Sequence, residues 1–305
     1  MGIELERVEG GRVATIAGRV RTSVFGPRLG DRPARLAAME AAGVEVQVLS
    51  PWTDLTAYEL ECEQAVAWAR LYNEALADEV ASEPGRFRAL ATVPLGWPDA
   101  AAAELRRAIG ELGLVGAAIA TRVEGAELDD PSLEPFWAAA EETRALVLVH
   151  PLRPLDGRGV SRYRLGNLVG NPAETAIAGA HLVFGGVLER HPGLRVCLVH
   201  GGGFLPYQAG RLDRGYAAQP ERTAANLTRP PREWLRRLHY DTVLHDPGSL
   251  AFLVGVVGES QVLLGSDYPF AMGEPHPVEA VQEAGLTATA LAAVLDGNAR
   301  RLLGT

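Results

Sequence analysis

Short β-branched runs alternate along this chain with longer stretches whose apolar residues recur at helical spacing. The runs read as strands cover residues 44–50, 87–93, 114–120, 145–150, 194–200, 238–242 and 262–266. Several are apolar at successive positions, as expected of strands covered on both faces. Between them, Leu133, Phe136, Trp137 and Ala140 fall at i, i+3, i+4 and i+7 behind Asp130 as cap and Pro131 at the first helical position. Leu105, Ile109 and Leu112 make a similar stripe on a helix starting near Pro98, and 173–190 carries Ile177, His181, Phe184 and Leu188 on one face. A last helix covers 289–303. Residues 1–30 read as a small hairpin around Gly10-Gly11 and not as a buried strand.

Strand–helix alternation of this kind predicts an α/β fold with a parallel sheet. Seven such strands predict a TIM-type (β/α)8 barrel whose first strand is missing, in one domain spanning 1–305, a length that one barrel commonly uses.

Composition narrows the chemistry. With 29 basic and 38 acidic residues the net charge is −9, so a broad nucleic-acid surface is not expected. No apolar run reaches the roughly 18 residues of a membrane-spanning helix. Cys62 and Cys197 are too few for a disulfide framework; with no basic-then-apolar leader pattern, a reducing cytoplasm is expected. All 29 basic residues are arginine. A Schiff-base lysine, a Walker lysine and a carbamylated lysine bridging two metals are therefore excluded. The chain has no Gly-x-Ser-x-Gly, and the glycines at 201–203 lack dinucleotide spacing.

Catalytic groups of strand–helix barrels sit at the carboxyl ends of strands. Three ends here carry ligand or proton-transfer groups: His150-Pro151, His200-Gly201-Gly202-Gly203 and Gly265-Ser266-Asp267-Tyr268-Pro269. Two imidazoles and a carboxylate at one mouth make a divalent-metal site with an adjacent acid/base. A lone strand-end histidine would more often be a packed one; three such residues on three ends favour a site. By the same reasoning His181 reads as packed on its apolar stripe, His191 as structural in a turn, and His239 as lying at the wrong end of its strand. His245 follows that strand on the catalytic side and is a candidate substrate contact; His276, in a Pro-rich loop, is a weaker one. Arg153, just past His150, is best placed to hold a substrate carboxylate bidentately, ahead of Arg28 and Arg21. Trp52 is the candidate aromatic wall. Arg211 and Asp213 read as an ion pair on the barrel rim.

The sequence resembles the amidohydrolase-related decarboxylases, typified by aminocarboxymuconate semialdehyde decarboxylase. The resemblance runs through Glu83-Pro84-Gly85-Arg86-Phe87, Leu128-Asp129-Asp130-Pro131, Glu189-Arg190-His191-Pro192-Gly193-Leu194, His200-Gly201-Gly202-Gly203-Phe204-Leu205-Pro206-Tyr207, Gly210-Arg211-Leu212-Asp213, Tyr240-Asp241-Thr242 and Gly265-Ser266-Asp267-Tyr268-Pro269-Phe270. It implies one divalent metal, usually zinc, bound by a His-x-His pair on the first strand, a fifth-strand histidine matching His150 and an eighth-strand aspartate matching Asp267. It implies His200 as acid/base beside the metal, and a homodimer.

One departure matters. No His-x-His exists; the nearest pair, His239 and His245, is six positions apart. Either the chain begins downstream of the true start, the favoured reading because His150, His200 and Asp267 keep their surrounding loops, or a natural product has lost half its metal shell. His150 and Asp267 alone leave a tetrahedral ion two ligands short unless His200 or water fills in, so weak metal binding and compromised activity are expected. An unpaired slot between the second and eighth strands should also expose backbone edges. The function expected from the resemblance is decarboxylation of a small unsaturated or aromatic carboxylic acid, with metal-dependent hydrolysis and a metal-deficient, non-catalytic barrel as the alternatives.

Overall fold

The computed structural model describes residues 2–152 and 159–304. The chain opens on an antiparallel meander, β1 (Ile3–Val8), β2 (Gly11–Ile16) and β3 (Val20–Arg21). The parallel strands follow: β4 (Gln47–Leu49), β5 (Phe87–Ala89) and β6 (Gly116–Ala120). After a small hairpin of β7 (Arg122–Val123) and β8 (Ala126–Glu127) come β9 (Leu146–His150), β10 (Arg195–Leu198), β11 (His239–Asp241) and β12 (Val262–Leu263). All seven runs read as strands form ladders, each over only part of its apolar run. Helices intervene, among them α1 (Arg32–Ala41), α2 (Cys62–Ser82), α3 (Pro98–Gly110), α4 (Glu134–Glu142) and α5 (Asn171–Phe184). Among the described residues no helix is long and apolar enough to cross a membrane.

Five strands pair in the order β12-β11-β10-β9-β6, and β4 pairs with β5. The two sets join where Ala91 bridges Ala117, with Ala91 N donating to Gly116 O at 2.8 Å and Ala118 N to Ala91 O at 2.9 Å. The parallel order is thus β4-β5-β6-β9-β10-β11-β12. Among the described residues no backbone hydrogen bond joins β4 to β12, so the sheet is open there.

Alternation along each strand separates two apolar layers. Leu49, Val147, Val149, Leu198, Tyr240 and Val262 belong to the main core, with Leu105 of α3, Trp137 of α4 and Leu182 of α5. Leu90, Ala118, Leu146, Cys197 and Leu263 form a second cluster on the other face of the sheet, which Val48 and Leu148 pack against and which Leu302 of the C-terminal helix joins. Burial on both faces explains why these strands read as continuous apolar runs.

Local signals place the helices. Asp31 accepts from Ala34 N at 3.0 Å and caps α1. Asp130 accepts from Ser132 N at 2.9 Å and starts the turn leading into α4. The stretch 173–190 is not one helix: it breaks at Gly185-Gly186, where Gly186 takes φ 71°, before a short helix Val187–Arg190. The buried face of α5 carries Ala178, Leu182 and Val183, while Ile177 is exposed. His181 is therefore not packed in the core. Its Nδ1 lies 2.9 Å from Asp129 Oδ1, and its side chain is 38% exposed. Nor does Asp213 pair with Arg211. Its carboxylate instead takes Arg232 Nε at 2.9 Å and Arg232 N at 3.0 Å, because the helix Pro231–Leu235 packs on its own helix and presents that end to it.

Candidate active site

His150 ends β9, and register puts it level with Ala120 of β6. Val149 and Tyr240 both pair with Leu198, so His150 and Asp241 share the next level, near the carboxyl ends of their strands. His150 Nδ1 lies 2.8 Å from Pro151 O. If Nδ1–H donates there, Nε2 keeps a free lone pair, as a ligand or base needs.

His200 follows β10 in an unusual backbone. Its φ is 55°, and Gly201, Gly202 and Gly203 follow at 59°, 76° and 61°. Glycine is required for space as well as for conformation. A Cβ on Gly201 would lie 2.5 Å from Leu244 and one on Gly202 2.7 Å from the Tyr240 ring, and one on Gly203 would run into the Pro172 carbonyl. This left-handed run turns the chain sharply and brings the His200 ring to 5.2 Å, edge to face, from the His150 ring. His200 Nδ1 is buried without a hydrogen-bond partner. Asp267, at φ 52°, lies in the loop after β12. Non-glycine residues at such φ mark strain that the surroundings must hold.

Asp241 is a site residue that the strand-end motifs did not single out. Its Oδ1 accepts from Gly201 N at 2.9 Å and Val243 N at 3.2 Å, so one carboxylate ties down the turns after both β10 and β11. The signal was present in alternation: Tyr240 belongs to the helix-facing core, so Asp241 must face the other way.

Recessed and poorly hydrated, these groups titrate far from their ordinary ranges. Burial, then the charge of His200, pushes His150 down to about 4. Burial, then His245, pushes His200 to about 4. Burial and the neighbouring charge of Asp241 raise Asp267 to about 7, against the pull of His245. Asp241 is also raised, burial outweighing its N–H donors. Near neutral pH both imidazoles are uncharged and Asp267 is part protonated.

A cavity of about 1390 Å³ is lined by His150, His200, Asp241 and Asp267 together. Trp52 lines it too, edge-on to Phe25 at 5.5 Å and tilted towards Phe270 at 6.3 Å. Five arginines line it, Arg32, Arg35, Arg88, Arg164 and Arg300, none of them anticipated. Arg35 of α1 lies 4.8 Å over the Tyr268 ring and donates to Gln47 Oε1 at 2.9 Å; Arg164 precedes α5. Arg35 and Arg164 come from segments whose proximity only the fold reveals. His245 does not line this cavity: its Nδ1 is 3.4 Å from Glu274, and with His276 it lines a separate one of about 170 Å³. Arg153 lies outside the described residues. Arg21 pairs with Glu6 at 3.0 Å, Arg28 is exposed, and neither lines the main cavity. His191 bonds Glu134 and Glu141 at 2.7 and 3.0 Å, and His239 is buried at the start of β11.

The donor types suit a divalent ion, but among the described residues no three His, Cys, Asp or Glu gather as a group able to hold one. A catalytic zinc site takes three protein ligands and leaves one position open. The residues present do not fit a complete metal centre.

A model of the amidohydrolase family (Amidohydro_2) matches residues 20–305. The chain belongs to that family. Among the relatives of this chain is the 2-amino-3-carboxymuconate-6-semialdehyde decarboxylase of Dictyostelium discoideum, 38% identical over 90% of this chain and 77% of that protein. Its fold superposes on the crystal structure of 5-carboxyvanillate decarboxylase from Sphingomonas paucimobilis with a TM-score of 0.85, at 27% identity, covering 91% of this chain and 84% of that one. A dihydroxybenzoic acid decarboxylase from Polaromonas sp. JS666, solved with bound manganese and the inhibitor 2-nitroresorcinol, gives 0.82 at 26% identity, covering 90% and 86%.

Proposed function

We propose that this chain is a metal-dependent, non-oxidative decarboxylase, a carbon–carbon lyase acting on a small aromatic or unsaturated carboxylic acid. One observation carries the reading: His150, His200, Asp241 and Asp267 line one cavity at the carboxyl ends of parallel strands, in a chain that is 38% identical to a decarboxylase. On this reading the whole chain works as one (β/α)8-type domain, as a cytoplasmic homodimer. The ion is divalent, zinc or, as in the Polaromonas relative, manganese. His150 and Asp267, with His200 beside them, are the donors this chain offers it.

Loss of carbon dioxide leaves an electron pair on carbon that must take a proton. His200, which lines the cavity with its ring beside that of His150, is the group that would give the carbon its proton and regain one from solvent. Asp241 positions the His200 turn through Gly201 N. Arg164 on the cavity wall supplies a guanidinium for the carboxylate, and Trp52 a flat face for the ring.

The test is a panel of hydroxybenzoic and unsaturated acids, each with a ¹³C carboxyl, incubated with the chain and excess Mn²⁺ or Zn²⁺ in D₂O. The label should leave as carbon dioxide, with one deuterium at the vacated carbon of the product. Products that keep the label and gain solvent oxygen would refute the reading and indicate hydrolysis.

A further inference from the structure

At the opposite end of the sheet from His150, His200 and Asp267 lies a cluster that the decarboxylase chemistry does not use. The starts of β10 and β11 meet the C-terminal helix (Asn298–Leu303) there. Arg195 opens β10, and Cys197, two residues on, pairs in register with His239 at the start of β11. Alternation puts Arg195 on the face of the sheet that Cys197 shares, and register puts His239 there too. Arg237 leads into β11, and Arg301 comes from the C-terminal helix.

Backbone carbonyls tie these guanidiniums in place. Arg195 Nη1 donates to Leu302 O at 2.6 Å and to Arg144 O at 3.3 Å, Arg237 Nη2 donates to Pro192 O, and Arg301 Nη2 donates to Ser260 O at 2.7 Å, just ahead of β12. Among the described residues none of the three forms an ion pair. The nearby acids are engaged elsewhere: Glu141 holds His191 and Gly193 N, and Asp296 and Glu45 hold Arg300. His239 is 7% exposed, and its Nδ1 is buried without a partner. Cys197 of β10, Gln261 ahead of β12 and the three arginines face it, with no carboxylate among them. Three fixed positive charges and an orphaned ring nitrogen are complementary to an anion rich in acceptors. A carboxylate offers one charge and two oxygens, enough for a single guanidinium; three from separate elements suit a dianion with more oxygens. An oxygen seated at Nδ1 would give that atom its missing partner once the ring takes up a proton.

We infer that Arg195, Arg237, Arg301 and His239 form a binding site for a tetrahedral dianion of the phosphate or sulfate type, which bridges the amino ends of β10 and β11 to the C-terminal helix. The site does not depend on the lyase reading, and its occupation requires no turnover, so the two fail separately.

Titration calorimetry of the full chain tests this at fixed ionic strength, with sulfate at pH 5 and with inorganic phosphate and methyl phosphate at pH 7. Sulfate stays a dianion at pH 5, so a proton taken up on binding, read from two buffers of unlike ionisation enthalpy, belongs to the protein. Wild type should bind sulfate with such uptake, and His239→Gln should lose the uptake. Arg237→Gln and Arg301→Gln, both at exposed positions, should each weaken sulfate by about ten-fold or more. Arg164→Gln, in the main cavity, should bind as wild type does. Methyl phosphate that matches inorganic phosphate extends the site to phosphomonoesters, and weaker methyl phosphate confines it to the free ion; both support it. Acetate binding as tightly as sulfate, no proton uptake by wild type, or unchanged affinity in the Arg237 and Arg301 variants would overturn the inference. So would loss of binding in Arg164→Gln, which would put the anion in the main cavity.

Discussion

Asp241 and His239 sit two residues apart on β11 and face the same side of the sheet, yet burial acts on them in opposite senses. Asp241 is driven towards its protonated form, and His239 towards its neutral one. His239 is 7% exposed, with Nδ1 unpartnered; burial, then Arg301, Arg195 and Arg237, lowers it from 6.5 to about 4. Between those values the unfolded chain binds a proton that the folded chain refuses. Stability is therefore undiminished by this group above about pH 6.5 and falls as pH drops towards 4, by about 3 kcal/mol in full. Urea denaturation at several pH values should show His239→Gln with a flatter acid limb than wild type; an identical limb would contradict the assignment. His150, His200 and Asp267 were legible in the sequence because strand ends followed by Pro or Gly turns announce themselves. Asp241 was not, since one polar residue closing a three-residue strand looks like any strand boundary. Arg35 and Arg164 reach the cavity from segments far away in sequence, which no local pattern encodes.

At the scale of elements, one buried polar network fixes α2 and α3 to the sheet. Asn73 Nδ2 donates to Thr92 O at 3.0 Å and to Glu104 Oε1 at 2.7 Å, and Asn73 Oδ1 accepts from Thr92 N at 2.8 Å. Arg107 Nε donates to Glu104 Oε2 at 2.9 Å, where the carboxylate is 2% exposed. Glu104→Ala should cost about 2 kcal/mol, because it removes one acceptor of the buried Asn73 amide and both hydrogen bonds from Arg107, which keeps only Glu74. Equilibrium urea unfolding measures it, and a loss below about 1 kcal/mol would mean the network is not the tie between these helices. The seven strands and most helices were readable because two-sided burial and Asp or Pro starts leave strong local marks. The break at Gly185-Gly186 and the true buried face of α5 were not. A stripe of Ile177, His181, Phe184 and Leu188 fits helical spacing, but tertiary packing chose the neighbouring residues.

For the whole molecule, the seam between β4 and β12 ties fold to chemistry. Seven parallel strands bring four recessed titratable groups to one wall, and among the described residues no three metal donors gather there. The shortfall could be counted from the histidines alone; the size of the cavity along the seam could not, because it depends on how α1, α2 and the C-terminal helix stand around it. The central claim is that this wall is the reaction centre. The measurement is the rate of ¹³CO₂ release from the best acid of the panel by wild type, His200→Gln, Asp267→Asn and, as a control away from the cavity, His181→Gln. Each site variant should fold with an unchanged melting profile and lose about 100-fold or more in rate, while the control keeps its rate. Site variants that release carbon dioxide as fast as wild type would contradict the claim.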